Sequence, residues 1–431
     1  MARTIDARKS DFPDIFDAFL AEPRGAVDDV AETVSQVIKD VRAKGGEAVA
    51  DYTAKFDGLT LDPTTLQSDN VDLHRLGHAC PDDLKEAIDF AAARIAAYHE
   101  RQRPEDHQFT DDAGVQLGWR WTSLDSVGVY VPGGLASYPS SVLMNAVPAK
   151  IAGVDRVVMV APAPRGQLAP AVAYAALKAG VDEYYPVGGA QAVAALAFGA
   201  GRLKPVDKIV GPGNAYVAEA KRQVFGKVGI DTIAGPSEIL VIADETANPA
   251  WIAADLLSQS EHDASSQSIL ITTSEAVAAS VEEAVESQLK TLATEQRARI
   301  AWDTHGAFII ASNLAQAADI ANQIAAEHLE LAIEDPEALL PHIKHAGAVF
   351  LGHYTPEALG DYVTGSNHVL PTSRAARFSS GLGLYDFLKR MSVQKAGPKG
   401  FAALAPAALR LAEAEGLPAH ARSVSIRTNE G

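Results

Sequence analysis

The chain has 431 residues, more than the roughly 250 to 300 residues at which one hydrophobic core stops growing, so we expect at least two packed units. Hydrophobic residues make up 47% of the chain and the formal net charge is -18, which excludes an intrinsically disordered protein and argues against a nucleic-acid-binding groove. The single cysteine, Cys80, excludes an internal disulfide and a cysteine-based zinc site.

The N-terminal part of the chain contains neither the apolar run of a signal peptide nor the composition of a transit peptide, so we expect a cytoplasmic protein. Residues 81–103 have the pattern of a long helix, and residues 126–131 have that of a strand. An uncharged run over residues 184–201 is interrupted by proline and glycine, so we interpret it as strand, loop and helix. The sequence therefore predicts no membrane span.

From residue 156 the chain alternates short β-rich runs with helical runs. The order is strand, helix, strand, helix and strand, over residues 156–160, 170–179, 181–187, 190–198 and 208–210. Such strands pair in parallel, which predicts a three-layer unit. Gly188, Gly189 and residues 211–214 begin helices after strands, where backbone N–H groups bind phosphates. Because only the first two glycines of the dinucleotide motif are present, tight turns explain these loops as well as cofactor binding does.

A second α/β rhythm begins with a predicted strand over residues 239–243. It continues with a helix from Pro249 and then with strand, helix, strand, helix and strand over residues 268–273, 276–289, 307–310, 314–326 and 348–351. Beyond it we predict short helices and a final strand over residues 423–427.

We expect one α/β unit to be inserted into the other. The predicted fold class is α/β, with two incomplete Rossmann-like three-layer domains, one inserted in the other, plus small N-terminal and C-terminal helical extensions. The predicted boundaries are residues 1–25 for the N-terminal extension, 26–130 and 238–380 for the discontinuous domain, 131–237 for the inserted domain and 381–431 for the C-terminal extension.

Two polar pairs follow predicted helices. Gln259 and His262 are three residues apart at the end of the helix from Pro249, a spacing compatible with two ligands of one metal ion, although a solvated helix end explains them equally well. Glu327 and His328 come directly after the helix over residues 314–326. A carboxylate beside an imidazole can tune proton transfer near neutral pH, and the alternative is a histidine favoured by a helix C-terminus.

Further candidates lie on loops nearer the C-terminus. Asp361 precedes a loop of small and polar residues, and His420 follows the helix that stops at Glu415. Together with the glutamine and histidine after Pro249, an aspartate and one more histidine would suit a zinc or manganese ion. Each of these signals is weak when taken alone.

Nine ordered motifs distinguish the chain: Val129-Tyr-Val-Pro-Gly-Gly134, Val187-Gly-Gly-Ala-Gln-Ala192, Val210-Gly-Pro-Gly-Asn214, Ala234-Gly-Pro-Ser-Glu238, Leu256-Leu-Ser-Gln-Ser-Glu-His262, Ala326-Glu-His-Leu329, Gly360-Asp361, Ser366-Asn-His368 and Ala419-His420. With these motifs the chain resembles the histidinol dehydrogenase family over nearly its whole length. Agreement by chance across nine ordered motifs is negligible.

The resemblance implies oxidation of L-histidinol to L-histidine through the aldehyde, with two hydride transfers to NAD and one Zn2+ ion per active site. It implies a catalytic pair, Glu327 and His328, and an inserted domain that binds NAD. The implied zinc ligands are Gln259, His262, Asp361 and His420. The implied substrate contacts are Ser237, Gln259, His262, His328, Asp361, His368, Glu415 and His420, and the implied NAD contacts are Tyr130, Gln191 and Asn214. The family forms homodimers with exchanged C-terminal elements and shared active sites, which we expect here.

Other functions remain open on the sequence alone. A related zinc and NAD dehydrogenase that acts on another small polyol would keep the metal and cofactor positions, although Ser237 and the segment from Glu415 to His420 favour histidinol. A zinc hydrolase would use the same ligands to activate water, but the paired glycine loops argue against it. A binding module without catalysis would leave Glu327 and His328 unexplained.

Overall fold

The structure, a computed structural model, describes residues 2–24, 30–68, 71–133, 138–233 and 235–428. The chain divides into two compact units, the first comprising Met1–Gln102 and Asp125–Phe387 and the second comprising Arg103–Leu124 and Leu388–Gly431. The predicted boundary between residues 25 and 26 lies outside the described residues, as do Gly134 and Ala234 of the motifs. The predicted domain limits therefore stay a prediction.

The strands, in chain order, are β1 Arg3–Asp6, β2 His107–Thr110, β3 Gln116–Ser123, β4 Ser126–Tyr130, β5 Arg156–Val160, β6 Glu183–Tyr185, β7 Lys208–Val210, β8 Gly229–Ile230, β9 Glu238–Ala243, β10 Gln267–Thr272, β11 Ala307–Ile310, β12 His328–Ala332, β13 Ala348–Leu351 and β14 Leu388–Lys395. The α-helices are α1 Phe12–Ala21, α2 Val30–Lys44, α3 Gly46–Asp57, α4 Leu73–His78, α5 Asp82–Glu100, α6 Pro139–Ala152, α7 Pro170–Ala179, α8 Gly189–Phe198, α9 Ala215–Val224, α10 Pro249–Ser260, α11 Glu275–Leu289, α12 Glu295–His305, α13 Leu314–Ile324, α14 Pro336–Leu339, α15 Glu357–Tyr362, α16 Pro398–Ala414 and α17 Pro418–Ser425.

The larger sheet of the first unit has, within the described residues, six parallel strands in the order β1-β11-β10-β9-β12-β13. A parallel sheet buried on both faces needs apolar side chains at successive positions, which explains the run after Glu238 in β9. Ile239 and Val241 pack into a core with helices α10, α11 and α12. Leu240 and Ile242 pack into the opposite core with α1 and α13.

A second sheet of the first unit has, in the part of the chain described, five parallel strands in the order β6-β5-β4-β7-β8. Helix α6 packs against α7, and α8 packs against α9. The strand order reverses beside β4, because β5 and β6 lie on one side of it and β7 and β8 lie on the other. In open α/β sheets, ligands bind at the carboxyl ends of the strands at such a reversal.

The second unit contains a sheet of antiparallel strands in the order β14-β3-β2. Leu388 at the start of β14 pairs with Ser123 at the end of β3. Helices α16 and α17 pack against each other in the same unit. No helix in the described ranges is long and apolar enough to cross a membrane.

The predicted strands and helices of both α/β rhythms are confirmed to within a few residues. The predicted strand over residues 423–427 is wrong, because the helix that begins at Pro418 continues to Ser425 and Ile426 N–H donates to the carbonyl of Arg422 at 3.0 Å. The alternation of this short segment also fits a helix, and proline in the first turn favours one. The N-terminal segment, expected to be helical, contributes strand β1 before helix α1.

Candidate active site

Glu327 and His328 lie where helix α13 gives way to strand β12. Ala325, with a φ of 51° and a ψ of 52°, ends the helix in the left-handed conformation. His328 then opens β12 and pairs with Ile239 of β9. The pair thus follows the helix, as the sequence predicts, and the start of a central strand, which the sequence did not predict, fixes the position of His328.

The hydrogen bonds of His328 determine which of its nitrogens can act as a base. Its Nδ1 lies 2.9 Å from the carbonyl oxygen of Glu238, and since a carbonyl only accepts, Nδ1 must bear the proton. Its Nε2 is buried and has no hydrogen-bond partner among the described residues. Asp361 Oδ1, at 3.8 Å from Nε2, is beyond hydrogen-bond distance. His328 thus presents an unshared lone pair on Nε2.

Glu327 is fixed by a reciprocal pair of hydrogen bonds with Glu238, the first residue of β9. Glu238 N–H donates to Glu327 Oε2 at 3.0 Å, and Glu327 N–H donates to Glu238 Oε2 at 3.3 Å. The other carboxylate oxygen of Glu238 is paired with Arg24. Since Glu238 also accepts from His328, this one residue orients both members of the predicted catalytic pair.

Burial changes the ionisation of both members. Burial raises the pKa of Glu327 well above that of an ordinary glutamate, and the charges of Glu238 and Asp361 raise it further, whereas the hydrogen bond from Glu238 N–H lowers it. Burial lowers the pKa of His328, against the opposing charge of Asp361. At neutral pH the imidazole is therefore uncharged, as a general base must be.

Beside this pair, the described residues contain one group of side chains that could hold a metal ion. The ligand atoms of His262, Glu357 and Asp361 all lie within 4.8 Å of one another. Glu357 and Asp361 are four residues apart on α15, a spacing that puts both carboxylates on one face of the helix. His262 follows the end of α10 and is exposed.

Gln259 lies in the last turn of α10 and is completely buried. Neither polar atom of its side-chain amide has a hydrogen-bond partner among the described residues. A buried amide without a hydrogen-bond partner lowers the stability of the fold by about 1 to 3 kcal/mol. We therefore expect the amide of Gln259 to bind a ligand such as a metal ion. Imidazole nitrogen together with carboxylate and amide oxygens is a donor set compatible with zinc.

Two predicted substrate contacts lie next to these groups. Ser237 directly precedes β9, and its side chain lowers the pKa of Glu327, against the larger effect of burial, which raises it. His368 is half-buried; its Nδ1 donates to the carbonyl of Asp361 at 3.0 Å and its Nε2 lies 3.5 Å from Ser141 Oγ on α6. Ser141 lies in the helix before β5 of the five-stranded sheet, whereas Asp361 lies in the helix after β13 of the six-stranded sheet. His368 therefore contacts elements that flank both sheets.

The three predicted NAD contacts follow strands of the five-stranded sheet. Tyr130 ends β4, and its hydroxyl accepts from the N–H of Gly189 at 3.0 Å, at the start of α8. Gln191 is buried in the first turn of α8. Asn214 caps α9, its Oδ1 accepting from two backbone N–H groups, so its amide nitrogen is left for a ligand. Tyr130 and Asn214 thus lie on either side of the strand-order reversal between β4 and β7.

Glu415 and His420 belong to the second unit. Glu415 ends helix α16 and His420 lies in α17, and both residues are exposed. Their predicted roles as substrate contact and zinc ligand stay predictions.

The motifs and the fold agree with comparisons to known proteins. A family model described as histidinol dehydrogenase matches residues 20–428. The chain belongs to the histidinol dehydrogenase family. It is 59% identical to histidinol dehydrogenase of Caulobacter vibrioides over 421 residues, which cover 98% of this chain and 98% of that protein. It is 56% identical over 430 residues to that of Rhodopseudomonas palustris, with 100% of each covered.

A solved structure shows the same fold. The crystal structure of histidinol dehydrogenase from Elizabethkingia anophelis superposes with a TM-score of 0.93 and 36% identity, covering 99% of this chain and 98% of that one. The predicted α/β class, with parallel sheets flanked by helices, is confirmed. As a member of the histidinol dehydrogenase family, the protein is an oxidoreductase.

The sequence motifs assign no role to two residues of this candidate site, Glu238 and Glu357. Glu238 is the last residue of the motif Ala234-Gly-Pro-Ser-Glu238, and it forms hydrogen bonds with both Glu327 and His328. Glu357 was not singled out, because its neighbours on a short helix give no local signal of burial. Its spacing of four residues from Asp361 was the one available clue.

Proposed function

We propose that this protein oxidises L-histidinol to L-histidine through L-histidinaldehyde, transferring hydride twice to NAD and using zinc, as the last steps of histidine biosynthesis. The observation that supports this most directly is the buried His328, uncharged and with a free Nε2, beside Glu327 and next to the metal-compatible residues His262 and Asp361. Membership of the histidinol dehydrogenase family supports the choice of substrate.

The residues that would hold the zinc ion are Gln259, His262, Asp361 and His420. The unpaired amide of Gln259 and the closely spaced ligand atoms of His262 and Asp361 are consistent with binding of this ion. When bound, zinc supplies a positive charge that holds the nitrogens of the substrate and favours ionisation of its hydroxyl group. The same residues therefore also contact the substrate.

His328 is the general base in the first half of the reaction. Its Nδ1 proton is committed to the carbonyl of Glu238, so Nε2 removes the proton of the substrate hydroxyl. The electrons of the O–H bond form the carbonyl as the hydrogen on the same carbon leaves as hydride. NAD, when bound, supplies the hydride acceptor.

Glu327 acts in the second half. Its carboxylate removes a proton from water, whose oxygen adds to the aldehyde carbon, while the protonated His328 returns its proton to the carbonyl oxygen to give the hydrate and becomes a base again. Because burial raises the pKa of Glu327, its carboxylate is a stronger base than that of an exposed glutamate. His328 then removes a hydroxyl proton of the hydrate, and loss of a second hydride gives the carboxylic acid.

The NAD site is proposed at the carboxyl ends of β4, β6 and β7. Tyr130, Gln191 and Asn214 lie there, and the N-termini of α8 and α9 offer backbone N–H groups to phosphates. Burial raises the pKa of Tyr130 to about 12, so its hydroxyl stays protonated and can donate. The reversal of strand order at β4 supports a dinucleotide site at this edge.

Ser237, His368 and Glu415 are proposed as further substrate contacts, with Ser237 and His368 adjoining Glu327 and Asp361. We also propose a homodimer in which the second unit of each chain completes the site of its partner. In that arrangement Glu415 and His420 reach the site from the other copy.

One assay tests the reaction. Purified protein is incubated with L-histidinol and excess NAD, and NADH is followed by its absorbance before chelation, after chelation and after zinc is restored. We expect two NADH for each histidinol, loss of activity on chelation and recovery with zinc. If the metal-replete protein forms no NADH from histidinol but does so from another small polyol, the substrate assignment is wrong. Conversion of a substrate to product without any need for NAD would instead indicate a hydrolase.

A further inference from the structure

Glu357 lies at the metal-compatible group but belongs to none of the motifs that assign the site. Its carboxylate lies within 4.8 Å of the ligand atoms of both His262 and Asp361. The residue is 2% exposed. A glutamate this deeply buried is rare unless it is paired with a cation or a metal ion.

The contacts of Glu357 leave its carboxylate without a balancing charge. Its backbone N–H donates to Glu330 Oε1 at 2.7 Å, which fixes the start of α15. Its Oε1 lies 3.5 Å from His328 Nδ1, but that proton is donated to the carbonyl of Glu238. Its Oε2 has no hydrogen-bond partner among the described residues. This unpaired oxygen is therefore available to bind a cation that comes from outside the chain.

The charges around Glu357 are mostly negative. The charges of Asp361, Glu330 and Glu327 repel that of the Glu357 carboxylate. The cation Arg24 is paired with Glu238 through Nη2. A divalent cation between Glu357 and Asp361 would relieve this repulsion, because it adds the positive charge that the cluster lacks.

We propose that Glu357 is part of the metal site and that its carboxylate strengthens zinc binding together with His262 and Asp361. The inference rests on the proposed function, since it requires that zinc binds there. Glu330 has a positioning role, because its side chain holds the backbone of Glu357 in place.

The test measures zinc affinity rather than activity. Glu357→Gln keeps the size of the side chain and removes its charge. Glu337→Gln is the matched control, since Glu337 is an exposed glutamate on α14. The full-length proteins are stripped of metal, and the dissociation constant for Zn2+ is measured by competition with a chromogenic chelator. We expect affinity to fall about 10- to 100-fold in Glu357→Gln and to be unchanged in the control.

Equal zinc affinity in Glu357→Gln and in the unmodified protein would overturn this inference while leaving the zinc-dependent function intact. Absence of zinc binding by the unmodified protein would overturn both. Thermal unfolding without metal checks that the variant folds, and the rise of its Tm on adding zinc should be smaller than that of the unmodified protein. If Glu357→Gln does not fold, Glu357→Asp is titrated instead; it withdraws the carboxylate by one methylene, so unchanged affinity would again overturn the inference.

Discussion

The carbonyl oxygen of Glu238 sets the protonation of His328, because an acceptor at Nδ1 requires a proton there and leaves Nε2 bare. Glu238 also binds Glu327 in both directions through its backbone and side chain. The two members of the pair are therefore held by one residue yet have different environments. His328 has its base nitrogen free, whereas the Glu327 carboxylate accepts a hydrogen bond from Glu238 N–H.

This difference predicts that the two halves of the reaction depend unequally on Glu327. Glu327→Gln should slow NAD-dependent oxidation of L-histidinaldehyde about 10²- to 10⁴-fold, because the amide cannot remove a proton from water. Reduction of the same aldehyde by NADH needs no added water, so it should be largely retained. Both rates are measured from NADH absorbance. An equal loss in both directions would show that Glu327 acts in the alcohol step as well.

Among the elements, the loop from β7 to α9 is held by a buried ion pair. Lys221 of α9 is paired with Asp231, and its Nζ donates to the carbonyl of Gly211 at 3.0 Å. Asp231 Oδ2 in turn accepts from the N–H of Gly211 at 2.8 Å. Gly211 has a φ of +112°, and a Cβ there would lie 2.1 Å from the carbonyl oxygen of Tyr130. The Lys221–Asp231 pair therefore holds Gly211 in close contact with Tyr130 at the end of β4.

We expect Lys221→Met to impair NAD binding and to destabilise the fold. It leaves Asp231 buried without its partner, which costs about 3 to 5 kcal/mol, and it releases the carbonyl of Gly211. The control is Arg222→Met on the next residue of α9, since Arg222 forms an exposed pair with Glu219 worth about 1 kcal/mol or less. Urea unfolding measures stability, and initial rates give the KM for NAD and for histidinol.

The KM for NAD should rise in Lys221→Met while the KM for histidinol changes little. Matching behaviour of the Lys221 and Arg222 variants would show that the buried pair does not position the loop. A rise in both KM values would point to general loosening of the unit rather than to the nucleotide loop.

At the scale of the whole molecule, the predicted active-site residues are divided between two compact units. Gln259, His262 and Asp361 lie in the first unit, whereas Glu415 and His420 lie in the second. Glu415 and His420 are both exposed in the single chain. Exposure is expected of residues that contact the active site of another copy only after the dimer forms. The proposed homodimer with shared sites accounts for this division.

Sharing predicts complementation between inactive chains. Gln259→Ala and His420→Ala homodimers should each lose most of their activity. A heterodimer of the two places both changes in one site and leaves the other intact, so it should recover about half of the unmodified activity if each dimer has two equivalent sites. Heterodimers purified with two different affinity tags provide the material. Verified heterodimers that stay inactive would show that each chain builds its own site.

Much of the fold was predictable because hydrophobic periodicity is a local signal. Strands β5, β7, β11 and β13 begin and end where the pattern predicted, since buried parallel strands are continuous apolar runs. The segment 423–427 failed because five residues fit either period, and the helix started by Pro418 decided between them. Strand β14 was missed, since all but the first of its side chains are exposed and it lacks an apolar run.

The sequence by itself determined the α/β class, the order of the motifs and, through them, the family. It also named His262, Asp361, Glu327 and His328, because residue types and motif spacing are local properties. Only the tertiary structure decided what surrounds those groups: the carbonyl of Glu238 on His328, the unpaired amide of Gln259 and the buried carboxylate of Glu357. Burial and proximity arise from packing between distant segments. No single segment of the sequence therefore predicts the free lone pair on His328 Nε2 or the excess of negative charge around Glu357 and Asp361.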